Sequence, residues 1–476
     1  MQTPKPKPPD RSWQKRHARD SAGAGSESFC RNVDADGPHQ LVLHIIVPVA
    51  RSPFHLLTKP IGSKCNLDCT YCFYLEKEKL YGNSGSPRMS AEMLDAYVRD
   101  YIAAQPGDSV NFAWQGGEPT LMGLDFFKSA VALQKKYANG RRIENAIQTN
   151  GTLLDDAWCT FLREEQFLVG ISIDGPAHLH NAYRVDRSGR ATFAEVAGGI
   201  ELLKKHGVEF NTLTTVHRRN STQPLEVYRF LRNIGSGYMQ FIPIVERNAS
   251  ARAVEANGLW LAPPPDHEDA EGLDAQVTEW SVRPADYGNF LCSIFDEWVR
   301  HDVGKIFVQH FDAALANWLG EPAGICIFTE NCGRALAIEH NGDVYSCDHY
   351  VYPKYKLGNL LNQSLGAMVD SPRQEEFGRA KSLTLPKYCR ECAVRFACHG
   401  ECPKHRFLRT PDGEEGLNYL CAAYKRFFTH IAPAMSTMAA LLGSRRPPAD
   451  IMRMPRAQWL PGRFPGLRER FGDSKR

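Results

Sequence analysis

Three cysteines, Cys65, Cys69 and Cys72, form a C-x-x-x-C-x-x-C loop within the run Lys64-Cys-Asn-Leu-Asp-Cys-Thr-Tyr-Cys-Phe73. Three thiolates can bind three irons of a 4Fe–4S cube and leave the fourth iron open to a small molecule. Clusters that only transfer electrons usually carry four cysteine ligands. The loop therefore predicts a cluster that does chemistry on a bound molecule. The alternative is a zinc knuckle, although zinc sites usually pair two C-x-x-C units or combine Cys with His.

This cysteine spacing is typical of radical S-adenosylmethionine enzymes, and the chain resembles that family here. The run Gln115-Gly-Gly-Glu-Pro119, which the family also carries, follows downstream. The resemblance implies that a reduced cluster binds S-adenosylmethionine and cleaves it to methionine and a 5′-deoxyadenosyl radical, which removes an unactivated hydrogen. Gly116 and Gly117 are then expected to allow close approach of the backbone to the methionine part, and Glu118 to contact its amino group.

Four further residues are candidate contacts of S-adenosylmethionine. The family resemblance places Tyr74 near the adenine, and Ser172 and Asp174 in the nucleoside region. Capping of a strand end is the alternative role for Ser172 and Asp174. Arg184 could reach the carboxylate of the cofactor, with exposure on a helix surface as its alternative.

Eight more clustered cysteines lie in the C-terminal part and suit two four-cysteine clusters. The run from Cys389 to Pro403 reads C-x-x-C-x5-C-x3-C-P. In two-cluster ferredoxins the last cysteine of a comparable run binds the other cluster. That logic predicts two sets: Cys326, Cys332, Cys347 and Cys402 in the first, and Cys389, Cys392, Cys398 and Cys421 in the second. The pattern resembles the SPASM extension of radical S-adenosylmethionine enzymes, which supports the same crossover; two structural zinc sites are the alternative.

The segment Cys347-Asp348-His349-Tyr350 resembles the part of anaerobic sulfatase-maturating enzymes in which the Asp is the catalytic base. A substrate that first loses a hydrogen atom, and whose radical then loses one proton and one electron, has undergone a two-electron oxidation. The two auxiliary clusters can accept the electron, and Asp348 is the predicted acceptor of the proton. Asp348 could instead only orient its loop, and His349 is the competing base because its ordinary pKa suits neutral pH.

The resemblance to that family extends over roughly residues 53–440. It includes these runs: Tyr287-Gly288, Phe295-Asp-Glu-Trp298, Phe307-Val-Gln-His-Phe-Asp312 and Glu339-His-Asn-Gly-Asp343. The implied reaction oxidises Cys or Ser in a C/S-x-P-x-R motif of a sulfatase polypeptide to Cα-formylglycine, with an electron donor such as flavodoxin or ferredoxin. The rivals are a peptide-modifying enzyme that forms thioether or carbon–carbon crosslinks and a non-catalytic iron–sulfur electron-transfer protein.

Alternating strand-like and helical patterns position these motifs. The predicted strands are Phe54–Thr58, Ser109–Gln115, Glu144–Thr149, Leu168–Ile173, Glu209–Val216 and Met239–Ile244. The predicted helices lie near 91–104, 124–138, 155–165, 194–206 and 224–234. Such alternation implies parallel strands with right-handed crossovers and predicts an α/β fold, a partial (β/α)6 TIM-like barrel. The motifs follow the strands, and active sites of such barrels lie at the carboxyl ends of strands. A hairpin at Asn341-Gly342 is predicted to deliver Cys347.

The composition is that of a globular protein: 476 residues, 43% hydrophobic and 23% charged, with a net charge of +3. Neither a nucleic-acid nor a membrane partner is expected, because no basic cluster or long apolar run is present. Clustered cysteines favour a reducing, cytoplasmic location. Three cysteines, Cys30, Cys159 and Cys292, lie outside the motifs; the last two are expected in the core.

Five segments are predicted along the chain. Residues 1–50 are read as a disordered extension, because they are rich in Pro, Lys, Arg, Ser and Gly. The barrel covers 52–245, a linker with helices covers 246–320, and the cysteine-rich SPASM domain covers 321–425. A C-terminal helix and tail complete the chain over 426–476.

Overall fold

Residues 48–81, 87–251, 254–255, 258–265 and 277–462 are described by the computed structural model. The predicted extension, apart from residues 48–50, lies outside the described residues together with Cys30. The same holds for part of the predicted linker and for the tail after residue 462. Within the described ranges, no helix is long and apolar enough to cross a membrane.

Parallel strands alternate with helices from residue 55 to residue 243, as the sequence predicts. The strands are β1 His55–Lys59, β2 Ser109–Trp114, β3 Arg142–Thr149, β4 Leu168–Ser172, β5 Phe210–Val216, β6 Tyr238–Pro243, β7 Phe307–Val308, β8 Ala335–Glu339, β9 Asp343–Tyr345 and β10 Lys356–Asn359. They form one sheet in the order β10-β9-β8-β1-β2-β3-β4-β5-β6-β7. Strands β1 to β7 are parallel neighbours in chain order, which confirms the partial (β/α)6 barrel.

Two of the barrel helices begin at side-chain caps. The helices are α1 Phe73–Lys77, α2 Ala91–Ala104, α3 Leu124–Tyr137, α4 Asp156–Glu164, α5 Ala177–His180, α6 Phe193–His206, α7 Pro224–Asn233, α8 Pro284–His301, α9 Gln309–Leu319, α10 Leu365–Val369, α11 Pro372–Leu383, α12 Lys387–Arg390, α13 Arg395–Cys398 and α14 Cys421–Gly443. Ser90 accepts a hydrogen bond from the Met93 amide before α2, and Asp155 accepts one from the Trp158 amide before α4. Such caps satisfy amides that the first helical turn leaves free.

Aromatic side chains fill the space between β2 and the helices that cover it. Trp114 and Phe112 point from β2 toward Tyr97 and Tyr101 of α2, and Phe127 of α3 meets Trp114 edge to face with ring centroids 5.5 Å apart. All five side chains are buried. Each such pair contributes about 0.5–1.5 kcal/mol beyond the burial of its area. This core fixes the end of β2, where the glycine motif begins.

The cysteine-rich part continues the sheet of the barrel. Strand β8 pairs in parallel with β1, and β9 and β10 follow as antiparallel neighbours. The predicted hairpin is confirmed, and Gly342 alone takes a positive φ of 84° in its connection. The register sets Lys59 opposite Glu339. The sheet thus crosses the predicted boundary at residue 320 and brings the segment after β9 next to β1.

Candidate active site

The cysteine loop lies between β1 and α1 and is fixed by the end of β2. The amide of Gly117 donates to the carbonyl of Gly62 at 2.9 Å, and the amide of Glu118 donates to the carbonyl of Lys64 at 2.9 Å. A Cβ on Gly117 would lie 2.0 Å from the Lys64 carbonyl oxygen, and Gly116 has a φ of 115°. The close backbone approach predicted at these glycines is therefore to the cysteine loop itself. Their predicted contact with methionine stays a prediction.

The three thiols of the loop lie close enough together to oppose each other's ionisation. Burial raises the pKa of Cys65 to about 12, and the carboxylate of Glu118 and the thiol of Cys72 add to that rise. Burial also raises the pKa of Cys69, with Arg184 opposing and the other two thiols contributing. The Leu67 amide donates to Cys65 Sγ at 3.3 Å. Such a donor set fits a cationic metal centre, which removes the cost of gathering three thiolates.

Glu118 holds the carboxyl ends of β2 and β3 together. Its Oε1 accepts hydrogen bonds from Thr120 and, at 2.7 Å, from the hydroxyl of Thr149; its Oε2 accepts from the Asn150 amide at 2.7 Å. Asn150 in turn donates to Asn66 of the cysteine loop at 2.9 Å. Glu118 is 1% exposed, so it acts first as an anchor of the loop. Its predicted contact with an amino group remains a prediction.

Asp174 and Arg184 form a buried ion pair beneath the cysteine loop. Arg184 Nε lies 2.9 Å from Asp174 Oδ2, which also accepts a 2.5 Å hydrogen bond from Tyr71, while Oδ1 accepts from the Thr215 amide at 3.0 Å. Arg184 is 7% exposed and so is not on a helix surface. These contacts favour the strand-end role of Asp174. Ser172 is partly buried at the end of β4, where its hydroxyl accepts from Gln148 at 2.9 Å.

Asp348 is held by side chains from the barrel. Its Oδ1 lies 2.6 Å from Lys59 Nζ, its Oδ2 accepts a short hydrogen bond from the Tyr74 hydroxyl, and Lys77 donates to its carbonyl at 3.2 Å. Burial would raise the pKa of Asp348, but the ammonium groups of Lys59 and Lys77 outweigh it and lower that pKa to about 2. Asp348 is therefore an ionised carboxylate at neutral pH, able to accept a proton. Lys59 is 1% exposed and also pairs with Glu339 at 2.9 Å.

Tyr74 is part of this carboxylate site. Besides its bond to Asp348, its hydroxyl accepts a hydrogen bond from Gln115 Nε2 at 3.3 Å, and Lys59 Nζ lies 4.9 Å from its ring centroid. The structure thus places Tyr74 in contact with Asp348. The sequence predicted Tyr74 near the adenine and Asp348 as the base, with no contact between them. The predicted neighbourhood of Tyr74 and adenine stays a prediction.

His349 points toward a different part of the site. Its Nδ1 lies 3.8 Å from Cys402 Sγ, and its ring meets Phe73 edge to face at 5.7 Å. Burial, helped by Lys404, lowers the pKa of His349 to about 3. The imidazole is neutral at physiological pH but faces a predicted ligand cysteine rather than Tyr74. Asp348 is the better placed of the two candidate bases.

A small pocket of about 10 Å³ lies beside this carboxylate site. Its lining includes Lys77, His349 and Lys404, and Glu246 pairs with Lys404 at its wall. Burial and the neighbouring Lys59 lower the pKa of Lys77 to about 7. Charged side chains therefore line a pocket next to Lys77, whose ammonium contacts the Asp348 carbonyl.

The eight auxiliary cysteines gather in the two sets that the sequence predicts. Burial raises the pKa of Cys402, and Glu401, Cys332, Cys347 and Cys326 add to the rise. In the second set, burial raises the pKa of Cys398, with further contributions that include Cys421 and Cys389. The thiol of Cys402 is therefore near the first set although Cys398, four residues earlier, belongs to the second. The iron ligation of both sets remains a prediction.

The geometry of the thiols does not decide between zinc and an iron–sulfur cube. Zinc draws sulfur ligands to about 2.3 Å. Among the residues that the structure describes, no three Cys, His, Asp or Glu side chains converge to hold a single metal ion.

The arrangement predicts the effect of changing one cysteine from each set. Cys402→Ala should lower the occupancy of the cluster held by Cys326, Cys332 and Cys347 and leave the other auxiliary cluster intact. Cys421→Ala should do the reverse. Iron analysis with electron paramagnetic resonance of the reduced protein measures both. If Cys402→Ala perturbs the same cluster as Cys398→Ala, the crossover is wrong.

Sequence reasoning gave no role to three residues of the site. Lys59 is a buried cation at the end of an apolar strand, a signal that an inward-facing charge needs a partner. Gln115 lies inside the quoted glycine motif, and Tyr71 lies inside the cysteine loop. The partners of Lys59 are 280 and 289 positions away in the chain, so no local pattern could identify them.

Two family models match the chain. The model of the Radical SAM superfamily matches residues 60–231, and the model of an iron–sulfur cluster-binding domain, SPASM, matches residues 326–393. The first range holds the cysteine loop, the glycine motif and strands β2 to β5 of the barrel. The second begins at Cys326 and includes the β8–β9 hairpin.

Relatives that match most of the chain are also found. A serine-type anaerobic sulfatase-maturating enzyme of Bacteroides thetaiotaomicron is 50% identical over 401 residues, covering 84% of this chain and 95% of the relative. A cysteine-type enzyme of Clostridium perfringens is 33% identical over 390 residues, covering 81% of this chain and 98% of the relative. A solved structure described as native anSMEcpe with bound AdoMet and Kp18Cys peptide has a TM-score of 0.69 at 33% identity, covering 82% of this chain and 99% of that chain.

Proposed function

Because the chain belongs to the anaerobic sulfatase-maturating enzymes, we propose that it oxidises a serine side chain of a sulfatase polypeptide to Cα-formylglycine. The observation that carries the proposal is the carboxylate of Asp348, held by Lys59 and Tyr74 beside the cysteine loop. The preference for serine rests on the 50% identity to a serine-type relative, against 33% to a cysteine-type relative. The proposed substrate class is a sulfatase polypeptide with Ser or Cys at the first position of a C/S-x-P-x-R motif.

The cysteines are the proposed ligands of three 4Fe–4S clusters. Cys65, Cys69 and Cys72 would hold the one that binds S-adenosylmethionine, and the two auxiliary sets would hold the others. When bound, the clusters and S-adenosylmethionine supply a carbon radical for hydrogen abstraction and an acceptor for one electron. Glu118 and Asp174 keep the strand ends in place around the loop through the contacts described above.

Conversion of a side-chain alcohol to an aldehyde removes one hydrogen atom, one proton and one electron. Asp348 is the proposed acceptor of the proton, at Oδ2. Tyr74 orients this oxygen by its hydrogen bond, and Lys59 keeps the carboxylate ionised through Oδ1. Lys77 donates to the backbone carbonyl of Asp348 and lines the neighbouring pocket.

The reductant and the location of the protein follow from the same chemistry. Iron–sulfur clusters with an open iron need a low-potential one-electron donor, and a flavodoxin or ferredoxin is the proposed class. Thirteen cysteines of the described residues are free thiols, which suits a reducing compartment such as the cytoplasm.

Two peptides that differ only in Ser or Cys at the reactive position test the proposal. The reduced, reconstituted protein is incubated anaerobically with S-adenosylmethionine and each peptide, and mass spectrometry follows the aldehyde. We expect the serine peptide to be converted, with an alanine peptide as the unreactive control. Conversion of the cysteine peptide alone would contradict the serine preference. A crosslinked product, without aldehyde, would contradict maturation.

A further inference from the structure

Lys381 is a fully buried cation next to the first auxiliary set. It lies on α11 and is 0% exposed. Its ammonium donates to the carbonyl of Cys326 at 2.6 Å and to that of Ile327 at 3.0 Å. Both acceptors belong to the short turn that carries the first predicted ligand. The Lys381 ammonium thus contacts the backbone of Cys326, a predicted iron ligand, and of the residue that follows it.

Arg406 is a second buried cation, located between the two sets. It is 5% exposed, and its guanidinium donates to the carbonyls of Gly400 at 2.9 Å, His399 at 3.0 Å and Glu401 at 3.2 Å. These residues form the turn that joins Cys398 of the second set to Cys402 of the first. Another bond, of 2.6 Å, reaches the carbonyl of Lys381.

Within the described part of the chain, neither cation has a carboxylate within ion-pairing distance. The nearby carboxylate of Glu401 is directed elsewhere: its Oε2 lies 2.9 Å from His405 Nδ1 and accepts from Asn418 Nδ2 at 2.6 Å. Carbonyl dipoles satisfy hydrogen bonds but do not neutralise a charge. A buried charge without a counterion costs several kcal/mol. The proximity of eight thiols points to the missing negative charge.

We propose that Lys381 and Arg406 are the countercharges of the two auxiliary clusters and raise their reduction potentials. A cube with four thiolates is anionic, and each reduction adds one negative charge. A cation buried beside it stabilises the reduced form because the local dielectric constant is low. Lys381 acts mainly on the cluster of the first set, whereas Arg406 acts on both. The two residues thereby favour acceptance of the electron that substrate oxidation releases.

This inference rests on the proposed function, since it requires both auxiliary clusters. The test therefore uses the full chain in which Cys65, Cys69 and Cys72 are replaced by Ala, so that only the auxiliary clusters remain. Three variants are compared in that background: Lys381→Gln, Lys381→Arg and Lys387→Gln. Lys387 is a matched control, because it lies two residues from Cys389 but is 62% exposed. Midpoint potentials are measured by redox titration followed by electron paramagnetic resonance.

Lys381→Gln is expected to lower the potential of one auxiliary cluster, with the reduction equilibrium falling at least tenfold, about 59 mV for a one-electron couple. Lys381→Arg and Lys387→Gln should leave both potentials near those of the background. Unchanged potentials in Lys381→Gln, with iron retained, would overturn the proposal. If Lys381→Gln fails to hold its cluster while Lys381→Arg holds it, the charge is needed for assembly, which supports the proposal; loss in both variants overturns it.

This experiment distinguishes a failure of the proposed function from a failure of the proposed role of Lys381 and Arg406. The background protein should contain about eight irons, as two cubes require. A background protein without two clusters contradicts the proposed cofactors before any lysine is changed. If the background protein contains about eight irons but its cluster potentials do not change in Lys381→Gln, only the role of the buried cations is contradicted.

Discussion

Replacing Cys65, Cys69 and Cys72 together with Ala is expected to remove about four of about twelve irons per chain and to abolish cleavage of S-adenosylmethionine. The three thiols are the only proposed protein ligands of that cluster, so no single iron keeps a ligand in the variant. The auxiliary sets lie in other loops and should keep their iron. Iron and sulfide analysis, with chromatography of 5′-deoxyadenosine after reduction, measures both effects.

Cys159→Ala is the matched control for this variant. Cys159 is a 0% exposed thiol of α4 that belongs to none of the three sets. Its replacement should leave the iron content and 5′-deoxyadenosine formation unchanged, at a small cost in the free energy of unfolding from the lost packing. If the triple variant still forms 5′-deoxyadenosine, the assignment of the first cluster is wrong.

The barrel could be predicted because its signals are local. Each of the first six strands is a run of five to eight residues with recurring apolar or β-branched side chains. Each predicted end lies within two residues of the observed one. The helix at 91–104 begins after Ser90 and ends before Gln105, where capping is visible in the sequence. Periodicity and capping depend on neighbouring residues alone. The grouping of the eight auxiliary cysteines followed from spacing in the same way.

The contacts that hold the site could not be predicted, because they join distant parts of the chain. Strand β8 completes the environment of Lys59 from almost 300 residues away. The carbonyl of Lys64 requires a glycine at position 117. Close approach of a ligand would also require a glycine there, so the sequence does not distinguish the two causes. Asp174 likewise could serve a strand end or a cofactor. The positions of Tyr71, Arg184 and Thr215 in the fold show how its two oxygens are used.

Asp348→Asn is expected to keep cleavage of S-adenosylmethionine and to lower formylglycine formation at least about a hundredfold. The change is nearly isosteric but removes the proton acceptor, and loss of a general base typically costs about 10²–10⁴-fold in rate. Radical generation belongs to the cysteine loop, where Asp348 is not a proposed ligand. The two products should therefore uncouple, with 5′-deoxyadenosine exceeding aldehyde, as mass spectrometry of one reaction mixture can show.

Asp370→Asn tests whether loss of a partly buried ion pair alone produces this result. Asp370 pairs with Arg334 at 2.7 Å, as Asp348 pairs with Lys59 at 2.6 Å, but it contacts neither Tyr74 nor a predicted ligand. Its variant should keep the normal ratio of aldehyde to 5′-deoxyadenosine. If Asp348→Asn makes near-normal aldehyde, the base lies elsewhere and His349, a neutral imidazole beside Cys402, is the next candidate. If the variant loses all three clusters instead, Asp348 only orients its loop, because a proton acceptor is not needed to assemble iron and sulfide.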